Sequence, residues 1–263
     1  MKVINRSIND IKKYYKYSIY AAKSQLKSEV ATSFLNWLWW ILDPLLFMMV
    51  YSFISIIVFG KSEQYFAAFV FLGLTTWNFF NKTILSSVKI VKSNSSIVSK
   101  VYLPKYILIL ISLLVNGFKM LISFTLVAGM MWLYHVPISW KMLYFFPVLL
   151  TLITVTFGIS TIVLHYGVFV EDLYNIITVL FKLIFYLSGI FYAIEKRVPS
   201  PYGKILLQTN PAAYLINEFR RILLYNESPY IGLMVFWLVI GLLLSWIGIN
   251  MIYKNENSYI KVI

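Results

Sequence analysis

Long apolar runs separated by short polar stretches dominate this chain. Because an α-helix rises about 1.5 Å per residue, roughly 20 apolar residues are enough to cross a hydrocarbon core of about 30 Å. Lipid offers no hydrogen-bond partners, so a chain that crosses it without closing into a β-barrel must be helical. The pattern therefore predicts an all-α membrane protein with six transmembrane helices. These helices cover residues 34–59, about 65–85, 107–134, 142–170, 174–192 and 230–253.

The second run is the least apolar of the six. Five polar residues occupy its latter half, namely Thr75, Thr76, Asn78, Asn81 and Lys82. Polar side chains inside a membrane segment usually face protein or a water-filled path. We therefore expect this helix to face other helices or a polar path and not lipid.

Residues 1–33 combine lysines with apolar residues that recur near helical spacing. The apolar set is Ile4, Ile8, Ile11, Tyr15, Ala22 and Leu26. This pattern predicts an amphipathic helix that lies in the headgroup plane of the membrane. Such a helix is either a membrane anchor or a lever that contacts a cytoplasmic partner, and the two roles are compatible.

The polar stretch SNSSIVSKVYLPKY, residues 93–106, separates the second and third predicted helices. Serine and asparagine at its start are favourable N-cap residues, and Pro104 ends any short helix near Leu103. We assign residues 86–106 to one cytoplasmic loop. The residues alone predict either a docking surface for a partner or an ordinary basic loop.

The stretch 193–229 is too polar to cross a membrane, although its second half has an apolar face. Asn210 and Pro211 form an N-cap and a first helical turn, after which apolar residues follow at helical spacing. We predict two short helices that are broken at Asn210 and re-enter the outer leaflet, where irregular backbone is tolerated if it packs against protein. A surface hairpin is the alternative.

Composition agrees with the membrane assignment. Hydrophobic residues make up 60% of the 263 positions and charged residues 13%, whereas about a quarter of an average soluble domain is charged. The formal charge of +13 requires no nucleic-acid partner, because basic loops bind anionic lipid headgroups. The whole chain, 1–263, is predicted to form a single transmembrane domain.

The distribution of lysine and arginine predicts the orientation. Seven precede the first predicted helix and five lie from Lys82 to Lys105, whereas the alternate loops carry single lysines at Lys61 and Lys141. By the positive-inside rule both termini are cytoplasmic. The stretch 193–229 departs from the rule with five basic residues, which we expect at headgroup level or against a pyrophosphate lipid.

No catalytic constellation stands out in the sequence. The tetrapeptide FGKS at 59–62 resembles the end of a phosphate-binding loop, but Ser55 replaces the required glycine and no strand precedes it. His135 and His165 are isolated, and we expect them to be structural. We therefore predict a transport protein that is not an enzyme and that binds no cofactor or metal itself.

Three ionisable residues fall inside predicted spans, namely Asp43, Lys119 and Lys182. Placing such a group in lipid costs about 2.5 to 3.5 kcal/mol on insertion scales, so these side chains should face protein or water. We expect Asp43 to pair with one of the two lysines, and the sequence does not distinguish them. Lys182 has the alternative of extending its long side chain to the membrane interface.

Aromatic side chains of the first predicted span share one stripe, at helical spacings. They are Trp37, Trp40, Phe47 and Tyr51. Aromatic faces stack on sugar rings, which suits a sliding polysaccharide. An aromatic belt at the membrane interface, or packing between helices, explains the same stripe equally well.

The motifs in their order along the chain resemble one family. After a basic amphipathic N-terminus they are WILDPLLFMMVYSFI in the first span, VSKVYLPKY after the second and NPAAYLINEFRRIL before the last. This set resembles the permease subunits of bacterial ABC exporters of O-antigen, teichoic acid and related lipid-linked polysaccharides. The resemblance implies a homodimer in the bacterial inner membrane that works with two copies of a separate ATPase. ATP and magnesium would be bound by that ATPase.

The implied substrate is a polysaccharide carried on an undecaprenyl-type lipid. Two alternatives remain open at the level of sequence. The first is the permease of a small-molecule or drug exporter, which shares the mechanism. The second is a secondary transporter driven by an ion gradient through an acidic residue such as Asp43.

The resemblance also assigns an ATPase-coupling role to two regions. The loop after the second span would hold the coupling helix, formed or bordered by Ser95, Lys100, Leu103, Pro104 and Lys105. A second contact is expected after the fourth span. There relatives commonly have Arg-Asp-Leu, and this chain has Glu171, Asp172 and Leu173.

The resemblance further implies an outer gate. The two short helices on either side of Asn210 would help to form it. The gate residues are then Asn210, Pro211, Glu218, Arg220 and Arg221.

Overall fold

The computed structural model describes residues 2–31, 35–58 and 63–262, and the regular elements of these ranges are helices. The predicted start of the first span and the tetrapeptide at 59–62 lie outside the described residues. The helices are α1 Lys2–Val30, α2 Trp39–Phe53, α3 Phe66–Ser93, α4 Ser95–Val98, α5 Tyr106–Leu133, α6 Phe145–Phe169, α7 Leu173–Leu187, α8 Ile194–Arg197, α9 Tyr202–Thr209, α10 Pro211–Leu223, α11 Ile231–Lys254 and α12 Glu256–Val262. Short 3-10 turns at Asn36–Leu38 and Trp140–Tyr144 lead into α2 and α6, and a π-helical turn at Ile54–Val58 continues α2.

Three helices of the described ranges are long and apolar enough to cross a membrane, namely α5, α6 with its leading turn, and α11. The apolar helices α2 and α7 have 15 residues each. Such a helix is about 23 Å long, which is shorter than a full hydrocarbon core. Helix α3 has 28 residues but carries Lys82, Lys89 and Lys92. An all-helical membrane protein is therefore confirmed, and the count of six spans stays a prediction.

Helix α3 lies at the centre of the bundle. Every side chain from 68 to 77 is buried, and the helix packs against α2, α5, α6, α7 and α10. Thr75 and Thr76 are buried and Asn78 is half-buried, which confirms that the second apolar run faces protein. The helix continues to Ser93, beyond its predicted end near residue 85, because its apolar side stays in contact with neighbouring helices.

Helices α6 and α11 pack closely, and glycines permit their close approach. A Cβ at Gly158 would lie 2.7 Å from the carbonyl oxygen of Gly241, and a Cβ at Gly241 would lie 2.8 Å from Val155 N. Small residues at such crossings let two helix backbones come together inside a membrane. This contact fixes α11 against the centre of the molecule.

Helix α1 packs along the first half of α5. Near the start of α1, Tyr106 OH donates a hydrogen bond to Asp10 Oδ2 at 3.5 Å. At its end, Glu29 forms an ion pair with Lys119, thirteen residues further along α5. The predicted helix is present and runs beside α5 between these two contacts, and its position in the headgroup plane stays a prediction.

Candidate functional site

The segment 94–105 joins α3 to α5 and begins with the single turn of α4. It is shorter than the loop predicted at 86–106 because α3 continues past its predicted end. Ser95 is half-buried. The exposed side chains around it belong to Ser96, Ile97, Ser99, Lys100, Val101 and Tyr102. The segment therefore presents a small protruding surface in which Lys100 is the basic residue.

The end of the same segment is buried. Leu103 and Lys105 are each 2% exposed, and Pro104 is buried as well. Burial lowers the pKa of the Lys105 ammonium group, and the nearby carboxylate of Glu256 opposes this change. These three residues anchor the segment to the start of α5. The expectation that they lie on a docking surface is thus corrected, since the buried side chains face the helices behind the segment.

Side chains of α1 and α12 hold the exposed part in place. Arg6 Nη2 donates to Tyr102 OH at 2.6 Å and forms an ion pair with Glu256 Oε1 at 3.1 Å. Tyr102 OH donates to Glu256 Oε2 at 3.1 Å. Tyr14 OH donates to the carbonyl oxygen of Tyr102 at 3.0 Å. Tyr102 therefore links the segment to the first and last described helices, and sequence reasoning did not identify this network.

The turn between α6 and α7 lies beside the same end of α3. Glu171 and Asp172 are exposed there. Lys89, near the end of α3, lies over the ring of Tyr174, with Nζ 3.8 Å from the ring centroid. This cation–π contact holds the start of α7 beside α3. The two regions assigned to ATPase coupling are thus brought to one end of the bundle.

The aromatic residues of the first span do not form one continuous exposed stripe. Trp40 packs edge-on against a phenylalanine of α5, with ring centroids 6.1 Å apart. Tyr51 stacks on Phe191 at 3.6 Å. Trp37 and Phe47 are exposed. Packing between helices therefore accounts for Trp40 and Tyr51. Phe47 stacks on Tyr51, with ring centroids 6.4 Å apart, and keeps an exposed surface, as does Trp37.

A polar cavity of about 320 Å³ lies between α2, α3, α5 and the end of α1. Its charged lining residues are Glu29, Asp43, Lys82 and Lys119. Asp43 and Lys119 are thus brought together, but Lys119 pairs with Glu29. Asp43 has no ion pair within the described ranges, which corrects the predicted pairing. Lys182 lies outside this cavity, exposed on α7.

Asn210 separates α9 from α10, as predicted. Its Oδ1 accepts hydrogen bonds from Ala212 N at 3.0 Å and Ala213 N at 3.2 Å, and its Nδ2 donates to Ser188 Oγ at 3.0 Å. Pro211 is the first residue of α10, a position whose backbone N–H has no acceptor within the helix, so a proline loses no hydrogen bond there. The break at Asn210 is confirmed, and its side chain also ties α10 to the end of α7.

Arg220 is buried, and its guanidinium donates to three backbone carbonyls. Nε and Nη2 donate to Phe69 O at 3.1 and 3.0 Å. Nη1 donates to Gly189 O and Nη2 to Ile190 O, each at 2.7 Å. Burial lowers the pKa of this group. The expectation that Arg220 meets a headgroup or a pyrophosphate lipid is therefore wrong, because its donors face inward and tie α10 to α3.

Arg221 and Glu218 form a second set of contacts at the start of α11. Arg221 Nη1 forms ion pairs with Glu195 at 3.4 Å and Glu227 at 3.0 Å. Glu218 is buried, and its Oε2 accepts a hydrogen bond from Tyr230 N at 3.0 Å. Burial raises the pKa of the Glu218 carboxyl to about 7, with this hydrogen bond and the charge of Arg221 opposing the rise. Glu218 therefore titrates near neutral pH.

Within the described ranges no three His, Asp or Glu side chains come together in a group that could hold a metal ion. His165 instead shares a hydrogen bond of 2.7 Å with Tyr259 OH, between its Nδ1 and the hydroxyl. This contact ties α6 to α12. The side chain has a structural partner, as the sequence led us to expect for an isolated histidine.

The apolar helices packed around the buried central α3 define a polytopic, all-helical membrane protein. Residues 19–224 match the ABC-2 type transporter family, and the chain belongs to that family. The matched region contains both the 94–105 segment and the α9–α10 pair. It ends before α11.

Similar proteins from two bacteria carry the description O-antigen export system permease protein RfbA. The protein from Klebsiella pneumoniae is 24% identical over 239 residues, which cover 90% of this chain and 91% of that protein. The protein from Myxococcus xanthus is 22% identical over 258 residues, which cover 98% of this chain and 99% of that protein. The similarity therefore extends along nearly the whole length of each chain.

Proposed function

We propose that this chain is the transmembrane permease subunit of an ATP-driven exporter of lipid-linked polysaccharide. The substrate is an O-antigen, a teichoic acid or a rhamnose-type cell-wall polymer on an undecaprenyl-type lipid, moved out of the cytoplasm across the bacterial inner membrane. The observation that carries the proposal is the similarity to O-antigen export permeases over at least 90% of the chain. Two copies of the chain form a homodimer with cytoplasmic termini and bind two copies of an ATPase.

The ATPase docks on the exposed part of the 94–105 segment. Lys100 and Val101 provide a basic and an apolar contact there. Because Tyr102 is hydrogen-bonded to α1 and α12, a displacement of this surface is passed to both helices. Glu171 and Asp172 supply the second contact. Closure of the ATPase then moves the helices of the permease as nearly rigid bodies.

The polysaccharide passes between the two copies along the exposed face of α2. Phe47 on α2 and Trp37 in the turn before it are exposed and offer rings on which sugars can stack. The outer gate is the α9–α10 pair. Its position is set by Asn210 and Arg220, which anchor α10 to the rest of the bundle.

The docking role is tested by changing the exposed surface and leaving the buried anchor intact. Lys100→Glu and Val101→Asp should each reduce co-purification of the ATPase and the amount of surface polysaccharide several-fold, because an unpaired charge is buried in the contact. Lys12→Glu is the matched control, since Lys12 is exposed on α1 and lies outside both proposed docking regions. Membrane abundance of each variant is measured alongside.

Three outcomes would contradict the proposal. Intact ATPase binding and export in both variants would show that the segment is only a loop. Export that continues without any ATPase would indicate a gradient-driven transporter. ATP-dependent export of a small molecule, with no loss of surface polysaccharide in a deletion strain, would indicate a drug exporter.

A further inference from the structure

The charged side chains that line the polar cavity described above sum to zero net charge, but only two of them form an ion pair. Glu29 and Asp43 bring two negative charges to it, and Lys82 and Lys119 bring two positive charges. Glu29 and Lys119 form an ion pair. Asp43 and Lys82 are exposed and make no ion pair with the described residues. The cavity is therefore neutral only while Glu29, at the end of α1, stays in place.

The cavity wall also carries a hydroxyl group without a partner. Thr75 lines the cavity and is 3% exposed, and its Oγ1 makes no hydrogen bond within the described ranges. The neighbouring Thr76 donates to Leu72 O of its own helix at 3.0 Å. Because a buried polar atom without a partner is unfavourable, Thr75 marks a place where a bound group can accept a hydrogen bond.

Helix α1 connects this cavity to the segment 94–105. Its last turns hold Glu29 against Lys119. Its first half holds Tyr102 through Arg6 and Tyr14. The helix is continuous between these two contacts. Helix α1 therefore connects the Glu29 contact physically with the surface around Lys100.

We propose that the cavity binds the phosphate group of the lipid-linked substrate, which replaces Glu29 as the partner of Lys119 and frees the end of α1. This inference rests on the proposed function and adds a substrate site to it. Without Glu29 the cavity has two lysines against Asp43, a net charge of +1 that attracts an anion. Phosphate oxygens accept charge-assisted hydrogen bonds from ammonium groups and a further one from the hydroxyl of Thr75.

The neighbouring side chains fit a phosphate that carries a sugar. Trp39 lines the same cavity and is exposed, and aromatic faces stack on sugar rings. Release of α1 then loosens the hold of Arg6 and Tyr14 on Tyr102. The loaded permease thus presents a different surface to the ATPase from the one that the free permease presents.

The test uses the purified full chain in phosphatidylcholine nanodiscs, without ATPase, and farnesyl diphosphate as the probe. Calorimetry should show binding that Lys82→Gln or Lys119→Gln weakens about tenfold or more, because each variant removes a charge-assisted hydrogen bond. Glu29→Gln should tighten binding several-fold, since it removes the competing carboxylate. Lys89→Gln, on the same helix as Lys82 but outside the cavity, should bind like the unchanged protein.

The gain expected from Glu29→Gln separates this inference from misfolding, because a misfolded protein would not bind the probe more tightly. Unchanged affinity in both lysine variants, or weaker binding in Glu29→Gln, would overturn the proposal. Phosphatidylglycerol in the nanodiscs or inorganic pyrophosphate should compete weakly with farnesyl diphosphate. If either binds the cavity as tightly as the probe does, the assignment to the lipid-linked substrate is overturned. Failure here with intact ATPase docking would reject this site alone and leave the proposed function standing.

The movement of α1 has its own measurement. The chain has no cysteine, so spin labels can be attached at Ser28→Cys, near the end of α1, and Ile138→Cys, in the loop beyond α5. Farnesyl diphosphate should shift or broaden the distance distribution between the labels, and Glu29→Gln should do so without the probe. A distribution that the probe leaves unchanged would overturn the release of α1.

Discussion

Replacing Arg220 with leucine is the most direct test of how the α9–α10 pair is held. The guanidinium donates to the carbonyl oxygens of Phe69, Gly189 and Ile190 in a buried environment. Each such hydrogen bond to a charged group contributes about 1.5 to 3 kcal/mol, and each buried carbonyl left without a donor costs about 1 to 3 kcal/mol. Leucine also removes the cost of burying the charge, so the contributions do not simply add.

We expect Arg220→Leu to lower the free energy of unfolding by about 3 to 5 kcal/mol, because three buried carbonyls each lose a donor at a cost of about 1 to 3 kcal/mol while the cost of burying the charge is removed. Arg220→Lys should recover only part of this loss, because a single ammonium group cannot reach all three carbonyls. Gly73→Ala should act in the same direction, since its Cβ would lie 2.6 Å from Arg220 Nη2.

The assay is denaturant unfolding of the purified protein in detergent, with membrane abundance as a second measurement. Arg197→Leu is the matched control, because it removes an exposed arginine whose ion pair with Glu63 is worth about 0 to 1 kcal/mol. A loss in Arg220→Leu no larger than that in Arg197→Leu would refute the reasoning. It would mean that the carbonyls find other donors when the guanidinium is removed.

Glu218→Gln should remove a pH dependence of folding stability. The Glu218 carboxyl has a raised pKa of about 7 in the folded protein, so its bound proton stabilises the fold fully below pH 4.5, and this stabilisation is lost as the pH rises through 7. The thermal midpoint of the unchanged protein should therefore fall between about pH 5 and 8 while that of the variant stays level, and parallel curves would contradict the assignment. Gly241→Ala should lower the free energy of unfolding by about 1 to 3 kcal/mol because its Cβ meets Val155 N. Gly232→Ala on the same helix has open space, so equal denaturation midpoints for the two variants would argue against close packing of α6 and α11.

The helices that the sequence predicted best are those with uniformly apolar runs. The spans predicted at 107–134 and 230–253 agree with α5 and α11 to within a few residues. Helix α3 was predicted too short, because Lys89 and Lys92 resemble loop residues in a sequence while the apolar side of the helix continues between them. Burial against protein allowed α3 to extend where hydropathy indicated a loop.

Contacts within a site could be predicted only when they are local. Asn210 caps α10 through the amides of the residues that follow it closely, so its role could be inferred from the sequence. Arg220 meets Phe69 across 151 positions, and Lys119 meets Glu29 across 90 positions. The sequence predicts Lys105 on the surface because a lysine charge usually indicates exposure. No neighbouring residue indicates that its side chain is buried.

The central position of α3 has a consequence for how the protein is synthesised. A lysine at the centre of a membrane helix costs about 2.5 to 3.5 kcal/mol on insertion scales, and α3 carries Lys82 together with polar residues on its inner faces. Lipid alone therefore retains α3 poorly. Its main neighbours α5 and α6 follow it in the chain, so we expect α3 to be held stably only after they have been synthesised. A chain that ends soon after residue 93 should therefore be less stable in the membrane than the full chain.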